Sequence, residues 1–391
     1  MANTPMILSF LGTGRYEAVK YKLHNQVHET QFFVEALCAF YPQHRAHVVM
    51  TGEAYAKHNE ALQQVCSYDV ISIPSGKNED ELWMMFTALA DAIPEQAQLI
   101  VDVTHGFRSQ PMLALATCIY LRTAKNVDIQ GIFYGAFDAR DENNIAPVFD
   151  LTPFLDLIDW SVSAQQFVRY GNAIPMRDLL QGIHKQTYAE QAAYKARKLS
   201  SVGERLADLS NALALVRPSE VLERAEEVAS AIHEAQEDLQ HVMKTKPFSL
   251  LLEKITEHTQ PFAYAQSELF SEDGLAAQSD MLRFYIETEQ YTQAVTLARE
   301  LLISKVCFLD NLDPHKQRSQ AEGKLFQLKQ TLQAGGNLKA EERALTQLWD
   351  SVSHLRNDIN HAGMRLKPIS AKKAIQNIQE VCQKVAALIT R

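Results

Sequence analysis

No apolar run in the 391-residue sequence approaches the roughly 20 residues needed to span a bilayer, so no membrane-spanning helix is expected. The amino terminus lacks the basic segment and cleavage site of a secretory signal, which predicts a cytoplasmic protein. Cysteine is sparse: Cys38, Cys66, Cys118, Cys307 and Cys382 are odd in number, widely spaced and set in apolar surroundings. With no Cys-x-x-Cys pair to hold zinc, they read as reduced core residues. Basic residues are not in excess, with 38 Lys and Arg against 47 Asp and Glu and a formal net charge of −9. That balance excludes broad coating of duplex DNA but leaves room for a small, local nucleic-acid site. No fixed-period repeat is present.

What is there fits a soluble globular chain of two or three domains, with 46% hydrophobic and 22% charged residues. Its most informative stretch is residues 99–111. Residues 99–103 are an apolar, β-branched run suited to a buried strand, and residues 112–120 read as a helix behind it. The polar residues fall on the turn between. In an open α/β sheet that turn is where ligands bind, because backbone N–H groups and the helix dipole attract anions. Thr104, His105, Gly106, Arg108 and Ser109 are therefore candidates for a phosphate or nucleotide site. The plainer alternative is an ordinary turn capped by Ser109. A second loop of the same kind, Gly12-Thr13-Gly14-Arg15-Tyr16, follows an apolar run at 6–11, where glycines allow close backbone approach or a simple turn.

Strands are predicted at 46–50, 69–73 and 129–134, with helices at 27–40, 52–65 and 80–93. Alternating strands and helices require parallel crossovers, so residues 1–155 should form a doubly wound parallel sheet. Both polar loops then lie at its carboxyl edge and can line one pocket. Beyond Pro153 the strand-type runs stop. Helices are expected through 156–275, broken at Gly171, Pro175, Pro218, Pro247 and Pro261, with an acidic, solvated amphipathic helix over 221–243. A second helical unit is expected over 276–391. Its helices span 291–308, 345–360 and 370–389, with a loop region around one short helix between 311 and 337. Glu300 is either solvent-facing or an orienting carboxylate.

The strongest short motif of the carboxyl-terminal half is Arg356-Asn357-Asp358-Ile359-Asn360-His361-Ala362-Gly363. Asn357 and His361 are four residues apart on one helix face, as are Arg356 and Asn360. Gly363 suits a helix stop, which puts His361 in the last turn, where the dipole favours its protonated form. A His for proton transfer and an Arg for charge developing on phosphoryl oxygens suit RNA phosphodiester cleavage. No metal is needed, because the 2′-hydroxyl is the nucleophile. A polar helix end without function is the competing reading.

The chain resembles the CRISPR-associated CARF–HEPN ribonucleases of type III systems, in the branch marked by an Asp-x-Thr-His-Gly signature. Asp102-Val103-Thr104-His105-Gly106 matches that signature, Phe107-Arg108-Ser109 continues it, and Gly12-Thr13-Gly14-Arg15-Tyr16 is similar to the family's first loop. Arg356 and His361 fit the HEPN spacing, with Asn357 as its polar neighbour. The resemblance implies a Rossmann-like CARF domain at 1–155, an all-α connecting region at 156–275 and an all-α HEPN domain at 276–391. It implies a homodimer that binds a cyclic oligoadenylate, with the cyclic tetra-adenylate favoured, across its twofold axis. It further implies single-stranded RNA as substrate, catalysis by Arg356, Asn357 and His361 in a composite cleft, and no cofactor beyond the ring activator. Two alternatives stay open. One is a non-catalytic sensor or transcriptional regulator; the other is ring degradation in the amino-terminal pocket, with Thr104, His105 or Arg108 orienting the 2′-hydroxyl.

Overall fold

A computed structural model describes residues 5–107, 109–189, 194–242, 245, 248–263, 268–364, 366 and 368–390. Arg108, Pro247 and the end of the 221–243 stretch lie outside the described residues. The chain divides into two compact units between Leu157 and Ile158. No helix among the described residues is long and apolar enough to cross a membrane.

The first unit is built on an eight-stranded sheet. Its strands are β1 (Pro5–Leu11), β2 (Val19–Leu23), β3 (Gln26–Thr30), β4 (Arg45–Met50), β5 (Tyr68–Ser72), β6 (Gln98–His105), β7 (Asp128–Gly135) and β8 (Ile145–Asp150). They run in the order β3-β2-β8-β7-β6-β1-β4-β5. The strands β7-β6-β1-β4-β5 are mutually parallel. Helices α1 (Phe33–Phe40), α2 (Gly52–Val65), α3 (Glu79–Ala92) and α4 (Gln110–Ala124) make the crossovers. From β1 the chain moves to β4 and β5 on one side, then returns to β6 and β7 on the other. The point of reversal between β1 and β6 is where an open α/β sheet leaves a crevice.

Two corrections follow. The sheet is mixed rather than all parallel: β8 runs antiparallel to β7, and β3 runs antiparallel to β2. The helix expected over 27–40 starts only at Phe33, because 26–30 is strand β3, paired from Val19↔Thr30 to Leu23↔Gln26 through a turn in which His24 has φ 51°. Cross-strand pairing overrides the local helical pattern there. This hairpin crosses to the far edge of the sheet, where β2 pairs with β8. It carries Tyr21, fully buried, into a core shared with Phe32, Phe33 and Leu37.

The second unit is all helical. Helix α5 (Pro153–Tyr170) crosses the boundary, and α6 (Ile174–Ala189), α7 (Leu199–Ala214), α8 (Pro218–Glu234), α9 (Gln236–His241) and α10 (Ser249–Thr259) follow. Then come α11 (Glu272–Glu287), α12 (Tyr291–Leu309), α13 (Arg318–Gln333), α14 (Ala340–Asn360) and α15 (Ala371–Ile389). One apolar core runs through them from Trp160 to Ile389. The predicted amphipathic stretch from 221 breaks at Ala235 into α8 and α9, and α8 turns Val221, Leu222, Ala225 and Val228 into that core. The region 311–337 is mostly one 16-residue helix, α13, rather than loop. Ion pairs anchor α13: Arg299 reaches Glu322 at 3.2 Å, Lys324 reaches Asp310 at 2.6 Å, and Arg318 pairs with Glu300. Glu300 therefore ties α12 to the start of α13.

Candidate functional site

The two predicted loops meet at the reversal point. The Gly12 N–H donates to the His105 carbonyl at 2.9 Å, and the Tyr16 hydroxyl donates to the same oxygen at 3.4 Å. A side chain on Gly12 would put its Cβ 3.1 Å from that carbonyl, so only glycine fits without displacement. The Tyr16 ring packs on His105 at 4.2 Å and on His58 at 5.1 Å between centroids. Helix α2 holds the rest of the first loop: Lys57 Nζ donates to the Thr13 carbonyl at 2.6 Å, and His58 Nε2 donates to the Gly14 carbonyl at 3.1 Å.

Asp102 organises the second loop from beneath. Fully buried, it accepts from Ser9 Oγ at 2.6 Å and from the Thr104 N–H at 2.7 Å. Burial pushes its pKa up to about 6 against the lowering effect of those two hydrogen bonds. Thr104 Oγ1 in turn accepts from the Gly135 N–H at 2.8 Å, locking the loop to the end of β7. His105 is fixed by α1, whose Phe33 N–H donates to Nε2 at 3.3 Å. An acceptor at Nε2 means a neutral ring with its proton on Nδ1. Burial, followed by the neighbouring His58, lowers the His105 pKa to about 4. His105 is thus a neutral positioning group rather than a cation for phosphate or an acid at neutral pH.

Between the loops lies a cavity of about 230 Å³ lined by Arg15, Tyr16, Thr104 and His105 of the predicted set. Tyr21, Tyr134 and Gly135 complete its floor, with Glu17 and Asp138 as its acidic members. The Tyr21 hydroxyl is buried and has no hydrogen-bond partner among the described residues. Not every predicted residue faces the cavity. Gly12 is buried behind it, and Thr13 and Gly14 turn their carbonyls to α2. Gly106, Phe107 and Ser109 sit at the start of α4. Ser109 does not cap that helix; its side chain makes no capping hydrogen bond. Buried Gln110 does the work instead, its Oε1 accepting from the Phe107 N–H at 2.8 Å. A Cβ at Gly106 would meet that oxygen at 2.9 Å.

The second candidate group lies at the end of α14. Arg356 is half-buried, while Asn357 and His361 are exposed. Arg356 Nη1 donates toward Asn357 Oδ1 at 3.4 Å. His361 is the carboxyl cap rather than part of the last turn, its N–H bonded to the Asn357 carbonyl at 3.0 Å. Ala362 and Gly363 follow with φ of 52° and 67°, and the Gly363 N–H closes the helix on Asp358 O at 2.8 Å. The three side chains therefore emerge from one helix end.

Residues 6–138 match the family model described as CRISPR system endoribonuclease Csx1, CARF domain. This part of the chain is similar to a CARF domain. Residues 156–261 match a second model, described as CRISPR-associated protein MJ1674, second domain. A curated relative, CRISPR-associated protein MJ1674 of Methanocaldococcus jannaschii, is 23% identical over 301 residues, or 75% of this chain. The chain spans only 42% of that relative's length. Among solved structures, Enterococcus italicus Csm6 bound to cyclic hexa-2′-fluoro-hexa-dAMP aligns over 99% of this chain and 94% of that chain. The alignment has 10% identity and a TM-score of 0.35.

Several residues of the cavity and its supports escaped sequence reasoning. Tyr21 lines it from an unpredicted strand and Tyr134 and Gly135 from the end of β7, while Lys57 and His58 of α2 hold the first loop without lining the cavity. A glycine ending β7, where a Cβ would come within 2.6 Å of Tyr21, was the one usable local signal.

Proposed function

We propose that this protein is an endoribonuclease switched on by a cyclic oligoadenylate in type III CRISPR defence. In this reading residues 1–155 sense the ligand, 156–275 connect, and 276–391 form a HEPN domain that cuts single-stranded RNA. The carrying observation is the cavity at the reversal point of a CARF sheet, closed by two loops hydrogen-bonded to each other. Its 230 Å³ falls below the roughly 300–1,000 Å³ of ordinary small-molecule pockets and is too small for a whole ring of linked adenylates. Two copies across a twofold axis would supply the remainder, which supports a homodimer. The neutral, hydrogen-bonded His105 disfavours its acting as an acid in ring cleavage within the same pocket.

The cutting reaction is assigned to Arg356, Asn357 and His361. The substrate's 2′-oxygen bonds to phosphorus as the bond from phosphorus to the 5′-oxygen breaks. His361 moves the proton between those oxygens, and Arg356 stabilises charge on the phosphoryl oxygens. Asn357, within reach of the guanidinium, orients it. Two copies of this helix end in one cleft let a modest rotation between protomers turn activity on or off, with coupling of a few kcal/mol. The test is titration calorimetry with cyclic tetra- and hexa-adenylate, alongside RNA cleavage in EDTA with each ring. Binding and activation by one ring in EDTA are expected; absence of binding by either would refute the sensing assignment.

A further inference from the structure

Cys38 and Cys66 are 28 positions apart in sequence, yet their Sγ atoms are 3.2 Å apart. Cys38 sits in α1 and is partly exposed; Cys66 directly follows α2 and is buried. A disulfide holds its sulfurs about 2 Å apart, so closure asks for a movement of only about 1 Å. The other three cysteines are buried and lie in other elements. We infer that Cys38 and Cys66 form a reversible redox site in the CARF domain, oxidised to a disulfide by peroxides. One sulfur attacks a peroxide oxygen, the O–O bond breaks, and a sulfenic acid and one water result. The second sulfur then displaces the sulfenic oxygen, which leaves as a second water with the remaining thiol proton. Two thiols and one hydrogen peroxide thus give one disulfide and two waters.

The surroundings separate this pair from the rest. The contact with Cys38 lowers the Cys66 pKa, which favours a nucleophilic thiolate within the pair, while burial pushes Cys118 and Cys382 up to about 12. The position also gives the site something to act on. Helix α1 supplies the Phe33 N–H that holds His105, and α2 supplies Lys57 and His58, which hold Thr13 and Gly14. A bridge between these helices ties together the supports of both cavity loops.

The test treats the full-length protein with a small molar excess of hydrogen peroxide, counts thiols after denaturation, and maps peptides without reduction. The count should fall from five to three, with one Cys38–Cys66 cross-link, and return to five with dithiothreitol. Cys38→Ser and Cys66→Ser should each keep all four remaining thiols at the same dose. Five thiols surviving in the wild type would overturn the inference. So would cross-links to other cysteines or between chains, or equal thiol loss in the serine variants. The wild-type peptide map decides the matter even if a variant fails to fold.

Discussion

Asp102 and His105 are three residues apart and titrate in opposite senses. Asp102 is raised from 3.8 to about 6, so its contribution to stability is fully present below pH 3.8 and is lost as pH rises through about 6. His105 is lowered from 6.5 to about 4, so its contribution is present above pH 6.5 and is lost as pH falls through about 4. The two largely cancel between pH 4 and 6.5. Asp102→Asn keeps an acceptor for the Thr104 N–H and a partner for Ser9 while removing one of the two titrations. Chemical denaturation at several pH values should show the variant gaining on the wild type by up to about 3 kcal/mol from pH 4 to 6.5. Tyr21 offers a second test at this scale. Tyr21→Phe deletes a buried hydroxyl that has no partner among the described residues, so stability should hold or rise by about 1 kcal/mol. Affinity for the ring nucleotide should fall about tenfold, the worth of one hydrogen bond; unchanged affinity would remove Tyr21 from the ligand's contacts.

At the scale of elements, the parallel core strands were legible because strands buried on both faces read as continuous apolar runs. Residues 46–50 and 99–103 are of that kind. Helix α2 was legible to the residue, because Thr51 caps it by accepting from the Ala54 N–H at 3.2 Å. The far edge of the sheet was only partly legible. Val19, Tyr21 and Leu23 alternate with Lys20 and Lys22 in the period-two pattern of a half-buried strand, a signal that was missed, whereas β3 is largely polar and β8 contains Pro147, so neither of these carries a strong strand signal. The loops themselves were legible from their glycines and polar residues, whereas their supports come from positions 44 to 89 residues away, beyond any local pattern. The start of α4 shows the same limit, since Gln110 rather than Ser109 satisfies the turn. Gln110→Ala should cost about 1 kcal/mol by thermal denaturation. Ser109→Ala should cost almost nothing.

At the scale of the whole molecule, one chain carries a cavity smaller than the ring it is proposed to sense, and one helix end carrying Arg356, Asn357 and His361. In the proposed homodimer a second copy would complete the cavity's wall and bring a second helix end into one cleft, with a spacing that a ligand could change. In the proposed function, sensing and cutting lie in different parts of the chain, about 250 residues apart in sequence. The most direct measurement is the initial rate of single-stranded RNA cleavage in EDTA, with and without cyclic tetra-adenylate, for the wild type and His361→Ala, with ligand affinity measured on both. Ligand should raise the wild-type rate, and His361→Ala should lose at least about 100-fold while binding the ring as tightly as the wild type. Ligand-stimulated cleavage surviving in His361→Ala would contradict the account.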